Sequence, residues 1–427
     1  MANILFLVTM LLASALNFAR FAFSALILPQ GDFGIYTAIV GAVGLTSILI
    51  SFGLVEATTK LYPRLWVSGR RDEVWRDAIA TARTTGLRVF ALAVAGLAAV
   101  QAGLLQSLEI GSGTMVVLAL FVWTTSLLGI CAAIIRAIGS MVLLQSFAFL
   151  RGLLPLSMVA TAVYWEDWFL AILAETAGAV LVVITGLVLI RRAMAQAGAG
   201  DANAATTGLE RDNRDGRKIF FANVMSSSIF LGDRAVITAL LGPAVGGAYG
   251  VIALVVQAGN LLVNILSQKI GPDIIRAIHT GASLPAALRF LRFPAAILGL
   301  AALGVVVVLV LGYLTIPAVA NFLDTRGIGQ TAMIMAAVLV FLQIFLLAEF
   351  TAIAINNERG VLRSSALALV VCAIGFALAF MRSWPLEAFI LSIILARTVQ
   401  ILSLTLAIKY SMRKADTNPD KGSFRGG

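Results

Sequence analysis

A single histidine and two cysteines in 427 residues leave little room for several kinds of chemistry. His279 lies in a predicted loop, so a histidine-based metal site or a His-activated nucleophile inside an apolar helix is excluded. Cys131 and Cys372 sit far apart in apolar runs and read as packing residues, not as a disulfide or a metal pair. Charge is scarce as well. Only 12% of residues are charged against 60% hydrophobic, where a soluble domain carries roughly 25% and 45–50%. No Gly-rich phosphate loop and no paired-carboxylate constellation appears, and the expectation is a non-enzyme without metal or cofactor.

What is present is apolar sequence in long runs. Crossing a hydrocarbon core of about 30 Å takes about 20 helical residues, and twelve runs meet that length. They fall near 3–28, 35–59, 85–106, 113–138, 141–164 and 168–190, then near 219–241, 247–270, 293–318, 331–354, 362–381 and 386–409. The start, Met1-Ala2-Asn3, lacks a basic n-region and Arg20 interrupts the first run, so no cleaved signal peptide is expected. The fold class is therefore all-α, a polytopic membrane protein of about 12 helices.

Basic residues set the orientation, because Lys and Arg in short loops stay on the cytoplasmic side. Nearly all of them cluster after the even-numbered runs and at the C-terminal end. The opposite loops hold only Arg326 and Arg382, while Arg20, Arg151, Arg234 and Arg397 lie inside predicted helices. Both termini are expected in the cytoplasm. The net charge of +10 is accounted for by topology and needs no nucleic-acid partner. Trp165, Trp168 and Trp384 in the opposite loops suit an interfacial belt, and Glu56 and Lys60 are spaced to pair across one helical turn.

The polar, Ala/Gly-rich stretch 193–217 reads as a cytoplasmic linker between an N-terminal six-helix lobe, 1–192, and a C-terminal one, 218–412, followed by a tail, 413–427. A shift of 213 residues sets "LILPQGDFGIYTAI" (26–39) against "ALLGPAVGGAYGVI" (239–252) and Arg20 against Asp233, which predicts an internal repeat.

Ionisable groups at the centre of a membrane helix cost about 2.5–3.5 kcal/mol and usually face a protein interior or a wet cavity. Asp233 and Arg234 are adjacent, so their side chains diverge and each needs another partner. Polar residues also recur at helical spacing: Ser14, Asn17, Arg20 and Ser24; Asn223, Ser227, Arg234 and Thr238; Gln257, Asn260, Asn264 and Gln268. Facing one another, these stripes would line a hydrophilic cavity for an anionic, hydroxyl-rich ligand, arginine forking onto phosphate and amides serving sugar hydroxyls. The candidate cavity residues are Asn17, Arg20, Asn223, Ser227, Asp233, Arg234, Gln257, Asn260 and Asn264. Packing between helices remains open for each amide. For Asp233 an ion pair with Arg20 or Arg151 stands beside a coupling role, Arg397 and Glu349 read as structural, and Glu175 has no assigned place.

The pattern "LPQGDFGIY", repeated as "GDRAVITALLGPAVGGAYG" with "IGPDI", together with "GLVEATTKLYPRLWVSGRRDEV" (53–74), resembles the polysaccharide and O-antigen flippases of the multidrug/oligosaccharidyl-lipid/polysaccharide exporter superfamily. The resemblance implies a two-lobed bundle whose first, second, seventh and eighth helices line a central cavity, with Arg20 and Arg234 as its basic residues. It implies transfer of undecaprenyl-diphosphate-linked oligosaccharide between leaflets for O-antigen or exopolysaccharide synthesis, with membrane lipids, glycosyltransferases and a polymerase as functional partners. The second helix departs from that pattern, being almost wholly apolar until Glu56. The alternatives are a cation-coupled multidrug exporter of the same superfamily, a major facilitator transporter, and a membrane glycan polymerase, for which the longest predicted outer loop, near 319–330, is short.

Overall fold

A computed structural model describes residues 2–102, 111–196, 213–279, 292–354 and 357–417, and among these every regular element is helical. Most of the predicted linker and of the tail lies outside the described residues. The chain forms two compact units, Met1–Phe220 and Phe221–Gly427.

The first unit contains α1 (Ala2–Ile27), α2 (Gln30–Ser51), α3 (Leu54–Val67), α4 (Arg71–Gln101), α5 (Ser112–Ile138), α6 (Met141–Ala162) and α7 (Trp168–Gln196). Its centre is α5, which packs on α2, α3, α4 and α7, while α6 bridges α1 and α7. The second contains most of α8 (Asn213–Phe230), then α9 (Gly232–Leu241), α10 (Pro243–His279), α11 (Arg292–Thr315), α12 (Pro317–Thr325), α13 (Gln330–Leu342), α14 (Phe345–Ala354), α15 (Glu358–Met381) and α16 (Leu386–Thr417). The packing order recurs: α15 lies on α16 as α6 lies on α7, and α13 meets α10, α11 and α16 as α5 meets α2, α4 and α7. The first helix departs, since α1 packs mainly on α6 whereas α9 packs mainly on α10.

Ten spans are long and apolar enough to cross a membrane among the described residues. The other two predicted runs lie on α10 and α11, helices of 37 and 24 residues. The protein is a multi-pass membrane protein.

Local chemistry sets the ends. Gly139, at φ 71°, closes α5, and the Ser140 hydroxyl accepts from the Leu143 N–H at 3.4 Å to open α6. Asp167 opens α7, its Oδ1 accepting from the N–H groups of Phe169 at 2.6 Å and Leu170 at 3.1 Å.

Five expectations from the sequence need correction. The run 35–59 is not one helix: Phe52 and Gly53 both take left-handed conformations, φ 44° and 79°, and the chain turns from α2 into α3. The third spanning helix starts at Arg71, well before the apolar run at 85, because Asp72 and Glu73 supply an acidic first turn. The predicted outer loop near 319–330 holds a short helix, α12, with Pro317 at its start.

The runs 219–241 and 331–354 are both broken, the first at Leu231 and the second at Gln343–Ile344. Neither break contains proline. At the first, the Arg397 guanidinium takes the Ser226 carbonyl at 3.2 Å. At the second, the N–H groups of Gln343 and Ile344 bond carbonyls three residues back, and the Gln343 side chain donates to the Leu339 carbonyl at 3.3 Å. Side chains entering the ladder are a recognised cause of such breaks.

One contact tests the packing of the first unit. A Cβ on Gly178 of α7 would stand 2.6 Å from Pro155 Cα on α6, a backbone atom that cannot rotate away. Gly178→Ala is expected to cost about 1–3 kcal/mol through overpacking. Thermal unfolding of the purified protein should show the loss, with Gly113→Ala, which meets nothing within 4 Å, unchanged.

Candidate functional site

In the first unit a buried ion pair joins three helices. Arg20 on α1 meets Glu175 on α7, Nη1 to Oε1, at 2.5 Å, with the side chains only 11% and 5% exposed. The second carboxylate oxygen accepts from the Tyr36 hydroxyl on α2 at 3.2 Å. Phe21 lies 4.5 Å beneath the guanidinium and tilts against the Tyr36 ring. Both oxygens of the acid are engaged, as a buried carboxylate requires. The Arg20 Nε has no partner among the described residues. Asn17 and Ser24, predicted to share Arg20's stripe, bond backbone within their own helix, to the carbonyls of Ala13 at 3.2 Å and Arg20 at 2.9 Å.

In the second unit Asp233 and Arg234 sit in the first turn of α9, both buried. Asp233 accepts from the Arg234 N–H at 2.7 Å and from the Tyr249 hydroxyl on α10. Arg234 donates to Gln257 Oε1, also on α10, at 3.2 Å, and its Nε has no partner among the described residues. The two neighbours thus diverge to separate partners on one helix.

Behind them lies Arg397 on α16, 1% exposed. It donates to the Ser226 hydroxyl at 3.2 Å and to Gln400 Oε1 at 2.6 Å, and Phe345 lies 4.3 Å from it. Gln400 in turn donates to Glu349 at 3.1 Å and to the Ser365 hydroxyl at 3.2 Å. A cavity of about 20 Å³, the size of one water, is lined by Asp233, Arg234, Tyr249, Gln343 and Arg397. Gln343, 1% exposed, places there an Oε1 without a partner among the described residues. Phe230 and Asp233 beside the first break and Gln343 at the second all line this cavity.

Both clusters draw on a tyrosine of the second helix and on charged residues of the first and last helices. Tyr36 and Tyr249, on the second helix of each unit, each donate to a carboxylate. In the first unit the first helix supplies the arginine, Arg20, and the last supplies the acid. In the second unit the first supplies the acid, Asp233, and the last supplies Arg397.

The remaining predicted residues scatter. Asn223 is exposed, Ser227 and Asn260 are half-buried, and Arg151 is exposed on α6. The Asn264 side chain and the proposed Glu56–Lys60 pair lie outside the described residues. Within its own unit Asp233 accepts from Tyr249, and Arg20 pairs with Glu175. Sequence reasoning missed Tyr36, Tyr249, Gln343 and Gln400 and left Glu175 unplaced. The two tyrosines were findable, since they fall on equivalent positions of the repeat.

No protein-family model and no curated protein sequence matches the chain. Solved structures do. The Vibrio cholerae MATE transporter VcmN in its bent form superposes with a TM-score of 0.63 at 17% identity, covering 97% of each chain. The lipid II flippase MurJ, in an inward closed conformation, gives 0.62 at 13% identity over 97% of this chain and 90% of its own. The MATE multidrug transporter DinF-BH gives 0.59 at 14% identity over 95% of this chain and 92% of its own.

The chain has the fold of the MATE and MurJ transporters. In that fold the buried clusters lie within each unit and tie its first, second and last helices together. Identities this low carry the fold and leave the cargo to be argued from the residues.

Proposed function

We propose that the protein is a lipid-linked oligosaccharide flippase of the multidrug/oligosaccharidyl-lipid/polysaccharide exporter superfamily. It would move undecaprenyl-diphosphate-linked repeat units from the cytoplasmic to the periplasmic leaflet of the inner membrane, with both termini cytoplasmic. What supports this over export of a cation is the engagement of the buried acids. Glu175 is held by Arg20 and Tyr36, Asp233 by Tyr249 and the Arg234 N–H, and Glu349 by Gln400 beside Arg397. A positively charged drug would have to displace these partners. Similarity to MurJ, a lipid II flippase, agrees with the reading.

The polar glycan cannot enter hydrocarbon with its hydroxyls unpaired, so a hydrated path lined within the second unit by groups such as Ser227, Gln257 and Asn260 would remove the barrier while the lipid tail stays in the bilayer. Arg20 is balanced by Glu175, which leaves Arg234 as the proposed phosphate contact. Outward movement of a diphosphate runs with an inside-negative potential worth about 2.3 kcal/mol per charge per 100 mV. Glycosyltransferases that build the unit and a polymerase that consumes it are the implied pathway partners.

The MATE structures favour a second reading, a multidrug exporter. Deleting the gene in its host and quantifying lipid-linked oligosaccharide and surface polysaccharide separates the two. The flippase reading expects surface glycan to vanish while lipid-linked units build up on the cytoplasmic face. It expects Arg234→Glu, expressed in the deletion strain, to reproduce the loss at normal protein level. Unchanged glycan with raised sensitivity to cationic drugs would assign the chain to the exporters.

A further inference from the structure

A large apolar groove runs over the first unit between α4, α5 and α7, away from the buried clusters. Its volume is about 930 Å³, and its walls include Trp75, Phe90 and Leu97 on α4, Trp123 on α5 and Leu187 on α7. One charged side chain lines it, Arg83. That arginine is exposed and has no hydrogen bond or ion pair among the described residues.

The surroundings fix what charge would suit it. From Ala78 to Leu97 the charged residues of α4 are Arg83 and Arg88, both basic. Arg88 donates to the Ile50 carbonyl at 2.7 Å and is used at the end of α2. Nearer the start of α4, Glu73 is taken by Arg70 at 2.6 Å and Asp77 accepts from the Tyr62 hydroxyl at 3.1 Å. Arg83 is left as a cation beside hydrocarbon-facing walls.

We propose that this groove holds a bilayer phospholipid with an anionic headgroup, its phosphate on Arg83 and its acyl chains along the apolar walls toward Leu97. The dimensions suit that occupant. Fourteen residues of helix separate Arg83 from Leu97, about 21 Å at 1.5 Å per residue. Half of a core about 30 Å thick is about 15 Å, so a chain starting at Arg83 passes the mid-plane inside the groove. A helix from a second copy fits less well. The close approach that Gly86 would offer is filled by the Trp123 indole, whose Nε1 would lie 3.1 Å from a Cβ there and which points at the Ala82 carbonyl at 3.5 Å.

The test is tryptophan quenching by brominated lipid in reconstituted full-length protein, with the Trp123 contribution isolated by comparison with Trp123→Phe. At equal bilayer fraction, brominated phosphatidylglycerol is expected to quench that contribution about fivefold more effectively than brominated phosphatidylcholine, the ratio for one basic contact with an anionic headgroup. The preference should weaken in high salt, disappear in Arg83→Gln, persist in Arg83→Lys and persist in Arg363→Gln, an exposed arginine of the second unit. Equal quenching by the two lipids would overturn the proposal. So would shielding of Trp123 from both lipids together with a dimer on sizing, which would give the groove to a second copy. Neither result bears on what the protein carries.

Discussion

Glu175→Leu should be among the most damaging single substitutions in the protein, with an expected loss of about 3–5 kcal/mol in unfolding free energy. The carboxylate is 5% exposed and is the partner of both the Arg20 guanidinium and the Tyr36 hydroxyl. Its removal strands a cation and a phenol among α1, α2 and α7. Replacing the arginine as well, in Arg20→Met/Glu175→Leu, should recover most of that loss, because a buried pair exchanged for apolar side chains of similar volume is often neutral or stabilising. Thermal unfolding of the purified variants gives the comparison. A double variant no better than Glu175→Leu alone would mean that the cost lies in packing and not in the orphaned charge.

Arg397→Met is expected to cost a similar amount, about 3–5 kcal/mol, through a different set of losses. It frees the Ser226 carbonyl and Gln400 Oε1, and Glu349 and Asp233 lose the positive charge that acts on both. Arg397→Lys should fail to rescue it. An ammonium's three donors radiate from one nitrogen, so they cannot match the acceptors that the two Nη atoms reach separately, and it lacks the flat face that stacks on Phe345, 4.3 Å away. Glu349→Gln on the Arg397→Met background should restore part of the stability by removing one uncompensated acid. Wild-type unfolding behaviour in Arg397→Met would show that the network contributes little.

The helical scaffold was legible in the sequence because membrane crossing imposes one length and one polarity on every span. The repeat was legible from a handful of Gly and Tyr positions. The buried clusters were not, and Glu175 shows why. Its partners Arg20 and Tyr36 are distant in sequence, and nothing in the local pattern of α7 points toward them. Polar periodicity gave the stripe through Asn17 and Arg20, but Asn17 spends its amide on its own helix. The stripe through Asn223 and Thr238 assumed one continuous helix and is interrupted at Leu231, near the Ser226 carbonyl that the distant Arg397 takes.

Those breaks give the two halves different joints. In the first half the second helix is cut at Phe52–Gly53, while the equivalent stretch of α10 runs through. In the second half the cuts fall at Leu231 and Gln343, where α1 and α5 are continuous. Two bodies built on one repeated plan thus carry their helix breaks at different positions along the chain. A substitution that stiffens a break in one unit therefore has no counterpart position in the other.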